Sequence, residues 1–445
     1  MRAPRCSEPN AQFWTRSMRC STGIAPCCEN SSPKVPDRMT DSPALRKVER
    51  GKLCAGCGLC AGISDDAIAM EVEAPGYARP EQVAKISDRV ERAIEQACPG
   101  LEVYSWDRMT EATASDVSWG PYIECLTGHA TEDETRHSGS SGGMISALAM
   151  HALETGAAQQ VLHIEGDPTK PTGNRTAISR TSQEVLARAG SRYAPSSPLE
   201  NVEAMLDDGT PTVFIGKPCD VAALRSLALL DERIDRVFPL KLSFFCGGVP
   251  SHAGADRIVE TMGLDPQRLS QFRYRGNGWP GLTHAEDTDG RTAEMSYEES
   301  WGRYLSSQVQ FRCKICPDPV GGVADIACAD AWYGGESGYP QFDEADGRSL
   351  VMVRTESGRR FLDRARRTSI VATERLDIDE VNLMQPAQAR RKRRIAARMA
   401  AWRVAGKPVP KMRGLHVAKA TRKERPHLLL KEFLGTLRRV FQGRI

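Results

Sequence analysis

Long apolar runs, histidine and aromatic rings are scarce in this chain, and each scarcity closes off a class of function. The nearest candidate for a bilayer span, 238–249, is short and interrupted by Lys241. The first 43 residues carry basic side chains but no apolar core of signal-peptide type, so the expectation is a cytoplasmic chain. Eight histidines, none at metal-ligand spacing, argue against a histidine-built metal centre. No Ser/His/Asp grouping and no paired carboxylates stand out, so hydrolytic chemistry has no sequence support. Aromatic residues make up 6% of the chain, and no basic, aromatic-studded surface accompanies them outside the C-terminal tail. Nucleic-acid binding, prompted by the cations at 390–394, is therefore not expected.

Cysteine is plentiful. Fourteen cysteines without a secretory signal point to metal centres in a reducing compartment rather than to a disulfide framework. Cys54-Ala55-Gly56-Cys57-Gly58-Leu59-Cys60 is a C-x2-C-x2-C triplet, and Cys98-Pro99 lies downstream. Three thiolates at this spacing wrap a loop around a four-iron cubane, with small residues letting backbone N–H groups face the sulfurs. A two-cluster ferredoxin would place a further cysteine four residues on, where Ser64 and then Asp65 stand. Cys98 is thus expected to close a single cluster. A zinc knuckle or buried structural thiols are the competing readings.

At 445 residues the chain is long enough for two or three domains. Residues 1–43, rich in Pro, Ser and Arg at the start, read as a disordered extension or a mis-called beginning, with Met39 the more natural start. Residues 44–110 form a small ferredoxin-like iron–sulfur module, with a turn at 76–80 and a helix over 88–97 delivering Cys98. Residues 111–375 alternate helices and strands as an α/β domain. Residues 376–445 form a basic helical tail. The fold class is α/β in its main domain and α+β overall.

Inside the α/β domain, the loop Ser138-Gly139-Ser140-Ser141-Gly142-Gly143 opens a helix over 144–154. A strand follows at 161–164, and Thr181 with Glu184 forms a capping box. A helix over 199–206 leads to a buried strand at 212–215. Gly216-Lys217-Pro218-Cys219 then starts another helix, and a second buried strand at 240–245 ends at Cys246. Adjacent strand ends in an open α/β sheet form a ligand crevice. Cys219, Cys246 and the pair Cys313-x-x-Cys316 would then converge on a second cubane. Alone, a C-x-x-C pair suits zinc, a redox disulfide or a cluster, and Cys219 and Cys246 also suit a plain core.

Gly216-Lys217-Pro218-Cys219-Asp220, Phe244-Phe245-Cys246-Gly247-Gly248-Val249-Pro250, Arg275-Gly276-Asn277-Gly278-Trp279-Pro280-Gly281 and Cys313-x-x-Cys316-x-Asp318 occur in order. Together they resemble the beta subunits of coenzyme F420-reducing hydrogenases. Relatives of that family include F420-dependent dehydrogenase subunits and chlorophyll-pathway reductases of plants and bacteria. The resemblance spans about residues 54–356. It implies FAD beside two [4Fe-4S] clusters, one on Cys54, Cys57, Cys60 and Cys98, the other on Cys219, Cys246, Cys313 and Cys316. It makes Ser140, Ser141, Gly142 and Gly143 the leading flavin-phosphate loop, where a helix start would otherwise read as a simple cap. Ser191, Arg192 and Tyr193 match a further flavin-contacting segment. Arg275, Gly276, Asn277, Gly278 and Trp279 suit a loop covering a planar cofactor, with Trp279 equally suited to anchoring a core. Lys217 would tune a flavin, or lie in solvent. Cys328-Ala329-Asp330 replaces the family's Gly-Asp, and the first-cluster cysteines depart from the chlorophyll-pathway arrangement, which argues against that substrate.

The function implied is an oxidoreductase relaying electrons between a ferredoxin-type carrier, or another redox subunit, and coenzyme F420 or another small organic molecule. A non-catalytic electron-transfer subunit is the alternative. From Pro386 onward 18 Lys and Arg face two acids, leaving 42 basic and 55 acidic residues in the rest. That asymmetry, with an apolar face over 428–441, suggests a carrier-docking arm, a peripheral membrane contact, or a helix packed back on the body.

Overall fold

The computed structural model describes residues 41–104, 111–334, 340–443 and 445. The expectations for the first 40 residues lie outside that set. The main sheet has eight strands: β1 (Glu124–Ala130), β2 (Gln160–Asp167), β3 (Lys170–Ser179), β4 (Thr212–Gly216), β5 (Leu240–Phe244), β6 (Ile326–Asp330), β7 (Ser349–Val353) and β8 (Val371–Arg375). Their order is β8-β1-β7-β6-β5-β4-β2-β3. The central strands β2, β4, β5 and β6 run parallel, and antiparallel strands flank them on both sides. Parallel strands need both faces covered, which explains the near-continuous burial of β4 and β5, and the antiparallel β7 between β6 and β1 is buried throughout.

Five helices position the site. They are α1 (Asp88–Ala97), α2 (Met144–Glu154), α3 (Pro218–Ala228), α4 (Pro386–Val404) and α5 (Pro426–Phe441). α1 starts where the Ser87 hydroxyl accepts from the Val90 N–H, and its buried side is Val90, Ile94 and Ala97. α3 starts at Pro218, whose missing N–H costs nothing in a first turn. Before α1 a hairpin pairs Ile68–Glu73 with Tyr77–Gln82. The turn expected at 76–80 lies earlier, where the Gly76 N–H donates to the Glu73 carbonyl, and Tyr77 onward is strand.

Hydrophobic packing crosses the expected module boundaries. Cys57, Leu59, Ala97 and Val103 share a core with Phe214, Leu224 and Leu350 of the sheet region. Leu45, Leu53, Ile68 and Ile94 share another with Ile395 and Trp402 of α4. Phe311 stacks on Trp402 at 3.8 Å. α4 is therefore part of the body. Its first cations face inward: Arg391 donates to the Cys246 and Gly247 carbonyls, Lys392 to the Pro317 carbonyl, and Arg398 to that of Lys314. The two acids of the tail are also taken up, Glu424 by Arg394 and Glu432 by Arg398. On α5, Leu428, Leu429, Phe433, Leu437 and Val440 are half-buried as the apolar-face reading requires, whereas Phe441 is exposed with Leu430 and Leu434. Among the described residues no helix is long and apolar enough to cross a membrane.

Candidate functional site: two cysteine sets and a cavity

The triplet loop turns on two glycines in the left-handed region, Gly56 at φ +75° and Gly58 at φ +84°. A Cβ on Gly58 would lie 2.8 Å from the Glu200 nitrogen, because the loop is pressed against the chain after Ser197. The Cys57 carbonyl accepts from the Leu199 N–H. Backbone N–H groups face every sulfur of the set: Gly56 toward Cys54 at 3.3 Å, Leu59 toward Cys57, Ala61 toward Cys60, and Gly100 and Leu101 toward Cys98. Cys98 sits at the C-terminal cap of α1. Burial raises the thiol pKa values of Cys57 and Cys60 and pushes Cys98 up to about 11. Repulsion among the four sulfurs adds to each rise. The fold thus brings Cys54, Cys57, Cys60 and Cys98 together.

The second set assembles at the C-terminal ends of parallel strands. β4 and β5 are paired so that Gly216 faces Ser243, which puts Lys217–Cys219 beside Phe245–Cys246. Cys219 occupies the first turn of α3, and Cys313 the short helix Phe311–Lys314. The Cys313 sulfur accepts from the Val249 N–H at 3.4 Å and from Gln310 Nε2 at 3.6 Å. Burial raises the pKa of Cys219, Cys246 and Cys316, with Cys246 pushed to about 12, and the neighbouring thiols raise them further. Arg391 opposes the rise at Cys246 and Cys316. Cys246 and Cys313 lie next to each other, to Cys219 and to Cys316.

Among the described residues no group of three or more His, Cys, Asp or Glu is tight enough for a single metal ion. A cubane carries its ligands on separate irons and spreads its thiolates wider than one ion does. The donor set fits a cluster, since it consists of sulfur ligands, facing N–H groups and buried cations. Arg312 Nε is among several buried side-chain atoms that have no hydrogen-bond partner among the described residues.

A cavity of about 930 Å³ opens beside the second set, with Cys246, Gly247 and Gly248 on its wall. Ser140, Ser141, Gly143 and the first turn of α2 line it, and no side chain caps that helix. Gly143 takes φ +70°. The free N–H groups and dipole there suit an anionic group. The Gly142 N–H is directed elsewhere, to Ser349 Oγ at 2.9 Å. Ser140 and Ser191 join through their hydroxyls.

The predicted cations divide. Lys217 is 7% exposed, so it does not lie in solvent. Its ammonium pairs with Asp220 at 2.8 Å and donates to Ser196, on the cavity wall. Burial acts to lower its pKa, but Asp220 and the thiols outweigh burial and raise it. Arg192 reaches the cavity with its guanidinium already donating to Asn174 and to the Pro171, Gly173 and Phe272 carbonyls. Arg275 makes a bidentate pair with Asp330 at 2.9 and 2.7 Å, between Tyr297 and Trp332. Tyr193 lies 4.9 Å from Trp301. Gly276, Asn277, Gly278 and Trp279 do not line the cavity. Trp279 is 2% exposed, stacked on Trp332 at 4.8 Å with its indole N–H on Asp330, an anchoring role.

Sequence reasoning missed Tyr297, Trp301, Trp332, Arg390 and Arg391, all on the cavity wall. Trp301 had one faint signal: a Cβ on Gly247 would lie 2.4 Å from its ring, so the Gly247-Gly248 pair marks a close approach.

Two family models match the chain. Residues 125–203 match "Coenzyme F420 hydrogenase/dehydrogenase, beta subunit N-term" and residues 210–379 match the corresponding C terminus. A coenzyme F420 hydrogenase subunit beta of Methanococcus voltae is 24% identical over 66% of this chain and 99% of its own. A chloroplastic 7-hydroxymethyl chlorophyll a reductase of Oryza sativa subsp. japonica is 22% identical over 78% of this chain and 73% of its own. A solved chain from the F420-reducing [NiFe] hydrogenase complex of Methanosarcina barkeri matches with TM-score 0.48 and 22% identity, over 62% of this chain and 91% of that one.

Proposed function

This chain belongs to the coenzyme F420 hydrogenase/dehydrogenase beta-subunit family, and we propose that it is an iron–sulfur flavoprotein oxidoreductase. In this reading it relays electrons between a one-electron carrier, ferredoxin or a partner redox subunit, and a two-electron acceptor such as coenzyme F420 or another small organic molecule. The observation that carries the reading is the gathering of eight cysteines into two neighbouring sets, the second on the wall of a cavity of about 930 Å³. Cys54, Cys57, Cys60 and Cys98 would hold one [4Fe-4S] cluster, and Cys219, Cys246, Cys313 and Cys316 the other. FAD in the cavity, with its phosphates toward Ser140 to Gly143, would supply the exchange between one- and two-electron chemistry.

The chain's own contribution is geometric and electrostatic. Burial keeps water from the thiolates, and the facing N–H groups stabilise their negative charge. Lys217, held by Asp220 and Ser196, presents a fixed ammonium on the cavity wall near Cys219 and Cys246, where it favours added negative charge. The uncapped first turn of α2 orients an anion. Arg275 and Trp279, both bound to Asp330, fix the far wall.

Anaerobic protein should carry about eight irons and eight sulfides, with visible absorbance bleached by dithionite. Stoichiometric zinc without acid-labile sulfide would end the reading. Cys57→Ser should remove about half the iron. Denatured protein should release a flavin whose mass is that of FAD. Several relatives are named as subunits, which favours an electron-transfer subunit as the second reading. Reduction of F420 by the isolated, flavin-loaded chain separates the two, because a pure relay gives no turnover without its partner.

A further inference from the structure

We propose that Gln310 and Arg312 form a buried polar bridge between the two cysteine sets, and that the Arg312 guanidinium raises the reduction potentials of both centres together. The inference rests on the two-cluster reading above. Both residues lie just before Cys313, and each reaches back to the first set. Gln310 is 4% exposed; its Nε2 lies 3.5 Å from the Ala55 carbonyl and 3.6 Å from the Cys313 sulfur. Arg312 is 3% exposed, and its Nη2 donates at 2.6 Å to the carbonyl of Pro99, next to Cys98. One short segment therefore touches the Cys54–Cys60 loop, the Cys98 turn and Cys313. The stacking of Phe311 on Trp402 fixes its backbone.

The charge is the telling part. Among the described residues no carboxylate pairs with Arg312, and its Nε is buried without a partner. An uncompensated buried cation is costly, by several kcal/mol in effective terms, and clipping one carbonyl needs no full charge. The anionic chemistry facing this guanidinium is the thiols of both sets. Cys98 adjoins the accepting Pro99, and Cys313 follows Arg312 directly in the chain. A positive charge and N–H donors near cluster sulfurs raise the reduction potential, because they stabilise the more negative, reduced state. When one electron leaves one centre and enters the other, no bond changes and no proton moves; the one-electron carrier supplies or receives that electron. A cation shared by both centres shifts both potentials upward together, so the gap between them changes little.

The test is a redox titration of the anaerobic full-length protein followed by electron paramagnetic resonance, with iron counted first. Fewer than two clusters in the unaltered protein would sink the two-cluster reading and is scored separately. With both clusters present, the fully reduced protein should show spin–spin interaction, and two magnetically isolated signals would overturn the bridge without any variant. Arg312→Gln should shift both potentials downward, and Arg312→Lys should return both close to the unaltered values. Gln310→Leu should lower only the centre held by Cys313. A shift at one centre alone in Arg312→Gln, or a Lys variant no better than Gln, would overturn the shared-cation role. If Arg312→Gln loses iron, the Lys variant and the spin interaction decide.

Discussion

His163 shows how tightly single side chains are bound to their surroundings beside the cavity. Its ring is 7% exposed, with Nε2 2.8 Å from Ser179 Oγ. Burial, followed by the Arg188 charge, lowers its pKa to about 4. The unfolded chain takes up a proton near pH 6.5 and the folded chain does not until about pH 4, so stability falls as pH drops through that window. The loss at the acid end is on the order of 3 kcal/mol. His163→Gln should flatten that portion of the stability profile, measured by denaturant unfolding at pH 7.5 and pH 4.5. Equal pH dependence in both proteins would remove His163 from the account. Trp402, fully buried against Phe311, makes a second residue-scale case. Trp402→Ala should cost about 3–5 kcal/mol through the cavity it leaves. Residue types declared their role here only where chemistry is local. The cysteine spacing was legible because a loop of glycines and thiols carries its own geometry. The uses of Arg192 and Arg275 were not, because their acceptors come from strands and loops far along the chain.

Among the elements, α1 and α2 were readable to both ends, since Ser87 caps one and Gly143 starts the other. β7 was invisible for the opposite reason. All five of its residues are buried, so it shows no alternation, and one of its partners, β1, is distant in sequence. α4 was legible as a basic helix, with packing back on the body only one of three readings of the tail. Its inward side includes Gln388 and Lys392 as well as Ala389, Ile395, Met399, Ala401 and Trp402, so a hydrophobic pattern leaves the two polar positions out. Its cations act as hydrogen-bond donors to the carbonyls of the second cysteine set. Truncation after Gln385 should therefore cost the second centre, and with it about half the iron, before any effect on partner docking is seen. Unchanged iron content in the truncated protein would show that α4 is dispensable to the site. Arg391→Ala, a milder change, should weaken iron retention at that centre only.

For the molecule as a whole, the surplus of positive charge after Pro386 is smaller in effect than in number. Arg391, Lys392, Arg394 and Arg398 are used internally, while Lys419, Lys423, Arg425, Lys431 and Arg438 remain exposed. If those exposed cations steer an acidic carrier, Lys423→Glu with Lys431→Glu should raise the KM for ferredoxin-driven reduction. Dithionite-driven turnover should stay unchanged, and the difference should shrink above about 0.2 M salt. A KM indifferent to both would leave the tail a structural element alone. The grip of α4 on the cysteine loops also sets an order of events in biosynthesis. All eight cysteines leave the ribosome before residue 386 is made, so their loops stay open until the last part of the chain arrives and folds back. If the two sets hold clusters, iron delivery has its easiest access during that interval. With the helix docked, Arg391 and Lys392 hold the chain at Cys246 and Pro317, so a chain finished without clusters would have to loosen its own C-terminal segment to take them up.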